Sequence, residues 1–195
     1  MTIYDLKPKF QNMLRPFVVA IWKMGITPNQ ITLVTCLLSV AVGLFLFMAE
    51  TEMFIILPFF FFVRMALNAI DGMLAKEHDL KTPMGAILNE VTDVVSDGFL
   101  YFAFLRFSFI STYLLLFIIF FSALTEVTGL AAFHISRPRQ FAGPMGKSDR
   151  AFVFSIMAIM ICFGVVQERI YTIIISAVAV LLLVTIYNRI RKALT

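Results

Sequence analysis

Residues 31–49 read ITLVTCLLSVAVGLFLFMA, nineteen consecutive positions without a charge. A helix rises about 1.5 Å per residue and the hydrocarbon core of a bilayer is about 30 Å thick, so such a run crosses a membrane in one pass. Five further segments of comparable length follow, at 53–75, 84–105, 109–133, 151–167 and 170–188. A bilayer interior offers no water to satisfy free backbone groups, which leaves helices as the natural solution for runs of this kind. The predicted fold is all-α: a polytopic membrane protein whose residues 31–190 form a bundle of six transmembrane helices, within one domain of residues 1–195. Composition agrees. The chain is 61% hydrophobic and 14% charged, against about 45–50% and about 25% in a soluble domain.

The cations set an expected orientation. Placing both termini inside puts Lys7, Lys9, Arg15, Lys23, Lys76, Lys81, Arg137, Arg139, Lys147, Arg150, Arg189, Arg191 and Lys192 on the cytoplasmic side and leaves Arg106 and Arg169 outside. That asymmetry is the one the positive-inside rule describes, and it needs an even number of crossings. A multi-pass protein of a bacterial inner membrane is expected. Residues 1–30 mix charge with apolar positions and carry no small-residue cleavage site, so no signal peptide is expected. The net charge of +4 is small, and no nucleic-acid partner is expected. Cys36 and Cys162 lie in apolar runs and are expected to act as small core hydrophobes.

Before the first span, Phe10, Leu14, Phe17, Val18 and Ile21 recur at helical spacing, with Lys9, Arg15 and Lys23 elsewhere around the axis. This predicts an amphipathic helix over residues 7–24, lying on the cytoplasmic membrane surface. Thr27-Pro28 then marks the turn into the first span, with Thr27 or Asn29 as its cap.

The acids are the anomaly. Insertion scales put Asp at the centre of a membrane helix at about +2.5 to +3.5 kcal/mol, yet residues 68–97 read NAIDGMLAKEHDLKTPMGAILNEVTDVVSD. Asn68 and Asp71 are three apart on one helix; Asn89, Asp93 and Asp97 are four apart on the next, with Glu90 three from Asp93. Residues three or four apart share a helical face. Two oxygen-rich stripes therefore stand on consecutive antiparallel helices. Such ligands suit Mg²⁺, Mn²⁺ or Ca²⁺. Gly72, Ala75 and Gly85 leave room beside them for a phosphate. The other account is a polar network in which the acids pair with Lys76, Lys81 or Arg64.

The same stretch resembles the signature of the CDP-alcohol phosphotransferases (CDP-alcohol phosphatidyltransferases): Asp, two residues, Asp-Gly, two residues, Ala-Arg, eight residues, Gly, three residues, Asp, three residues, Asp. Asp71-Gly72, Ala75-Lys76, Gly85, Asn89 and Asp93 fall at that spacing, preceded by Asn68. The stretch TPNQIT before the first span, the length and the helix count are similar as well. Asn68, Asn89 and Lys76 stand where the signature has Asp, Asp and Arg, and the likeness is to an atypical bacterial branch.

The resemblance implies an integral membrane transferase of phospholipid synthesis. Its reaction would move a phosphatidyl group from CDP-diacylglycerol to a small alcohol or phosphorylated alcohol, with release of CMP. It implies one or two Mg²⁺ or Mn²⁺ ions held by Asp71 and Asp93 with Asn68 and Asn89, and charge lent by Glu90, Asp97 and Glu126. Asp93 would be the general base. Asn29, Thr32, Gly72, Ala75, Lys76 and Gly85 would meet the nucleotide and its phosphates, at an active site on the cytoplasmic side. Arg137, Arg139, Lys147 and Arg150, in and after the loop of residues 134–150, would bind the acceptor; anionic headgroups are the other account of that loop. A homodimer through the third and fourth spans is expected, with lipid around it. Loss of two carboxylates also admits a non-catalytic descendant that binds CDP-lipid or a cation. A transporter would predict an inverted repeat, and the acidic stripe occurs once.

Overall fold

The computed structural model describes the backbone of residues 3–195, with side chains from residue 10 onward. The side chains of Lys7 and Lys9, counted above among the inside cations, lie outside that description. Seven α-helices follow in order: α1 Ile3–Lys23, α2 Pro28–Met48, α3 Ile56–Glu77, α4 Pro83–Phe102, α5 Thr112–Ala131, α6 Lys147–Cys162 and α7 Glu168–Leu194. Short 3₁₀ turns at Thr51–Ile55, Ala103–Arg106 and Ala132–Ile135 extend α3, α4 and α5. No strand occurs among the described residues.

Four helical stretches are long and apolar enough to cross a membrane: Pro28–Met48, Thr51–Glu77, Thr112–Ile135 and Glu168–Leu194. Two of the six expected spans differ from these for physical reasons. Helix α4 carries Glu90, Asp93 and Asp97 within 20 residues. Helix α6 has only 16 residues, because it begins inside the bundle rather than at its rim. The chain ahead of it folds inward: Met145 is buried, and its N–H donates to Thr185 Oγ1 at 3.0 Å. Thr185 stands nine residues before the end of α7, so α6 starts about 13 Å in at 1.5 Å per residue. Gly143 makes this descent feasible. It has φ +136°, and a Cβ there would lie 2.5 Å from the Thr185 side chain.

The outer surface is oily. Leu37, Phe45, Phe59, Phe62, Phe120 and Val180 are all exposed, as expected of helices solvated by lipid. The interior is aromatic at one end: Tyr101 stacks on Phe154 with ring centroids 4.0 Å apart, and Phe104 meets both Phe154 and Phe54 edge-on. Helices α2 and α4 approach closely at Gly43, where any Cβ would collide with the Phe99 carbonyl. Helix α1 lays Leu14 and Val18 against Ile70, Met73 and Leu74 of α3, while Met13, Phe17 and Trp22 stay exposed. Arg15 reaches Glu77 at 3.0 Å.

Two caps set the helices that build the site. Thr27, rather than Asn29, caps α2 with a reciprocal box: Thr27 N–H donates to Gln30 Oε1 at 2.8 Å, and Gln30 N–H donates to Thr27 Oγ1 at 3.4 Å. Thr82 caps α4 by accepting from Gly85 N–H at 2.9 Å, with Pro83 in the first turn.

Candidate active site

A cavity of about 380 Å³ opens where the first turns of α2, α4 and α6 meet the last turns of α3. Asn29 and Thr32 line it from α2, Asn68, Asp71, Gly72 and Ala75 from α3, Gly85, Asn89 and Asp93 from α4, and Lys147 from α6. These were all singled out in the sequence. Lys81 and Thr82 of the connecting loop also line it. They were not assigned to the site above, although Lys81, a cation between the two oxygen-rich stripes, was the available signal.

Asp71 is 6% exposed. The Thr32 hydroxyl lies 2.8 Å from Asp71 Oδ2 and 3.1 Å from the Pro28 carbonyl. It has one proton, and the carboxylate is the stronger acceptor. No cation pairs with Asp71 among the described residues. Gly72 beside it faces open space, with nothing within 4 Å of an added Cβ. Gly85, across the cavity, is crowded: a Cβ would lie 2.6 Å from Asn29 Oδ1 and 3.0 Å from Thr82 Oγ1.

Asp93 is held differently. Its Oδ1 accepts from Asn68 Nδ2 at 3.0 Å and from Arg64 Nη2 at 3.3 Å. Its Oδ2 pairs with Lys147 Nζ. Behind it, Asp97 is buried against Arg64 Nη1 and, at 3.0 Å, Arg150 Nη2. Arg150 is fully buried and also meets Glu126 Oε1 at 3.1 Å. Glu126 in turn takes Arg139 at 2.9 Å and Arg189 at 3.3 Å, and Arg139 pairs with Glu90. Four carboxylates and five cations thus form one continuous network across α3, α4, α5, α6 and α7. Burial first, then the neighbouring Arg189, holds the Arg139 guanidinium below its ordinary value. Arginine begins so far above neutrality that it remains charged.

The remaining expected site residues do not line the cavity. Glu90, Asp97 and Glu126, expected to lend charge to a metal, face arginines instead, because a buried carboxylate takes the nearest guanidinium. Arg139 and Arg150 are spent on those acids. Arg137 is exposed and reaches the Thr195 carbonyl at 3.4 Å. Lys76 is exposed on the last turn of α3. Of the three cations expected to pair with the acids, Arg64 does so.

Among the described residues, no three His, Cys, Asp or Glu side chains converge as a metal cluster. The donor chemistry nevertheless fits one hard cation. Among the described residues Asp71 has a carboxylate without a cationic partner, and Asn68 and Asn89, whose amides carry an oxygen each, line the same cavity. Asp93 fits poorly, since N–H donors meet both of its oxygens.

A second cavity, of about 460 Å³, lies between α3 and α6 and shares Asn68 and Lys147 with the first. Its wall is mostly apolar: Pro58, Phe61, Phe62, Met65, Ala151 and Phe152, with Arg64 at its polar end.

The fold is similar to solved structures of phosphatidylinositol phosphate synthase (PgsA1) from Mycobacterium tuberculosis. The complex with manganese and citrate matches with a TM-score of 0.78 at 20% identity, over 93% of this chain and 89% of that one. The form with CDP-DAG bound matches with a TM-score of 0.75 at 20% identity, over 94% of each chain. In sequence, the chain is 42% identical to the Inner membrane protein YnbA of Escherichia coli (strain K12), over all of this chain and 97% of that one. Residues 25–187 match the family described as CDP-alcohol phosphatidyltransferase. With Asn68, Asp71, Gly72, Ala75, Gly85, Asn89 and Asp93 of the signature gathered on one cavity and the match running through six of the seven helices, the chain belongs to the CDP-alcohol phosphatidyltransferase family.

Proposed function

We propose that this protein transfers a phosphatidyl group from CDP-diacylglycerol to a small alcohol or phosphorylated alcohol and releases CMP. One observation carries the reading. The cavity that holds Asp71, Gly72, Gly85 and Asp93 adjoins an apolar cavity through Asn68 and Lys147. A lipid whose headgroup is a nucleotide pyrophosphate needs both: a polar chamber for the head and an oily one opening toward acyl chains.

In this reading the acceptor oxygen attacks the phosphorus that carries the diacylglycerol. The bond to the bridging oxygen of the pyrophosphate breaks, and CMP leaves with that electron pair. Asp93 takes the hydroxyl proton of the acceptor. Asp71, with the amide oxygens of Asn68 and Asn89, would hold Mg²⁺ or Mn²⁺, whose chemistry there is neutralisation of pyrophosphate charge. Thr32 orients Asp71. Asn29, Gly72, Ala75 and Gly85 let the nucleotide approach the backbone, and Lys76 and Lys81 meet its phosphates from the rim. Lys147 is the expected acceptor cation within reach of the cavity. Arg139 and Arg150 act behind it by fixing Glu90, Asp97 and Glu126, and Arg137 meets anionic headgroups.

The protein would work as one domain of residues 1–195 in the inner membrane, with α2 to α7 as six crossings. Helix α1 would lie on the cytoplasmic surface, both termini and the site facing the cytoplasm. The cation distribution supports that orientation.

A second reading is favoured by Asn68 and Asn89, amides where the signature has carboxylates: binding of CDP-lipid or a cation without turnover. CMP release by the purified protein from CDP-diacylglycerol, screened across alcohols, separates the two. Binding without CMP release from any alcohol would overturn the transferase and leave the second.

A further inference from the structure

The amide of Asn68 divides the site in two. A carboxylate only accepts hydrogen bonds, so the contact at 3.0 Å to Asp93 Oδ1 must come from Asn68 Nδ2. An aspartate at position 68 would set like charges at that distance. With Nδ2 committed to Asp93, the acceptor left on Asn68 is Oδ1, at the opposite corner of the amide. Asn68 lines the cavity that also holds Asp71 and Asn89. One half of the site therefore presents oxygen acceptors. The other half, around Asp93, is filled with N–H donors: Asn68, Arg64 and the ammonium of Lys147.

The backbone holds Lys147 there. It is the first residue of α6, and α6 starts inside the bundle because Met145 is bonded to Thr185. Three residues on, Arg150 is anchored by Asp97 and Glu126. Lysine carries a compact point charge on a flexible stem, and it meets Asp93 Oδ2, the oxygen that Asn68 and Arg64 leave to a cation.

We propose that Lys147 is a tethered cation that occupies the Asp93 half of the site, so that the chain takes one divalent ion, beside Asp71, and excludes a second. This rests on the metal reading given under the proposed function. The pair of signature amides and Lys147 then belong together. The amides remove negative charge that a second ion would need, and the lysine supplies positive charge in its place. Local charge is balanced without a second metal.

The test counts Mn²⁺ bound per chain, by electron paramagnetic resonance of full-length protein in lipid nanodiscs, with Mn²⁺ alone as the probe. The native protein, Lys147→Arg and Asn89→Asp should each bind one equivalent. Combining Asn89→Asp with Lys147→Met should raise this to two and produce the signal of a spin-coupled pair. Two equivalents in the native protein, or in Asn89→Asp with Lys147 intact, would overturn the proposal. So would a single equivalent in the combined variant. No Mn²⁺ bound by the native protein would overturn the metal reading itself, a result distinguishable from the others.

Discussion

Arg150, in the first turn of α6, and Asp97, in the second half of α4, meet at 3.0 Å with both side chains almost wholly removed from solvent. Breaking a buried pair by removing one partner costs about 3–5 kcal/mol, because the other charge is left uncompensated. Arg150→Met takes from Asp97 one of its two arginines and from Glu126 one of its three, so thermal unfolding in detergent should shift down, by less than the loss of a sole partner would cause. Arg137→Ala, on an exposed side chain, should stay within about 0.5 kcal/mol of the parent. An Arg150→Met protein that unfolds at the parent temperature would show that the network contributes little.

Asp93→Asn keeps the size of the side chain and most of its hydrogen bonding but cannot take a proton. Loss of a general base costs about 10²–10⁴-fold in rate. CMP release should fall by that factor, and the unfolding temperature should drop only modestly: the single amide oxygen can serve Arg64 and Asn68 or Lys147 but not both sides, while Arg64 keeps Asp97. Full turnover in Asp93→Asn would remove Asp93 from the base role.

Chelation should stop the reaction. Asp71 is buried with Thr32 as its partner and, among the described residues, forms no ion pair, an arrangement suited to a divalent ion. EDTA should abolish CMP release, and Mg²⁺ or Mn²⁺ should restore it. Undiminished activity in the chelator would end the metal reading.

The two cavity glycines should respond differently. Gly72→Ala places its methyl in open space, so stability should hold. Affinity for CDP-diacylglycerol should nonetheless drop about tenfold or more, the equivalent of about 1.4 kcal/mol, if the nucleotide fills that space. Gly85→Ala should lower both, since its methyl collides with Asn29 Oδ1 and Thr82 Oγ1. Unchanged nucleotide affinity in Gly72→Ala would place the ligand elsewhere.

On α4, Met84, Ile87, Val91 and Val95 form an exposed apolar stripe; on α5, Leu116, Phe120 and Val127 form another. If these faces meet a second copy, Val91→Cys in a chain with Cys36 and Cys162 replaced should cross-link in native membranes. Monomer alone, in membranes and in detergent, would assign the stripes to lipid.

Much of the site was legible in the sequence because its main parts come from one hairpin. Spacings of three and four residues put Asn68 with Asp71, and Asn89 with Asp93, on single helical faces. A short loop then brings the two faces together. Thr27-Pro28-Asn29-Gln30 likewise contains its own cap, and the structure assigns it to Thr27, leaving Asn29 to face the cavity.

Local pattern also settled the class of protein. Uncharged runs of membrane length permit only helices, and the apolar residues exposed on α2, α3, α5 and α7 agree with it. What the sequence could not determine was the partner of each charge. Glu90, Asp97 and Glu126 looked available to a metal because their spacing along α4 and α5 said nothing about α6 and α7. Only packing brings Arg150 to Asp97 across 53 residues of chain and Arg189 to Glu126 across 63. The inward start of α6, which sets Lys147 on Asp93, depends on Gly143 lying against Thr185. Electrostatic energy depends on distance through space, and helical periodicity fixes distance only along one helix. The charges that belong to the hairpin could therefore be read from the sequence, and those that meet across helices were decided by the fold.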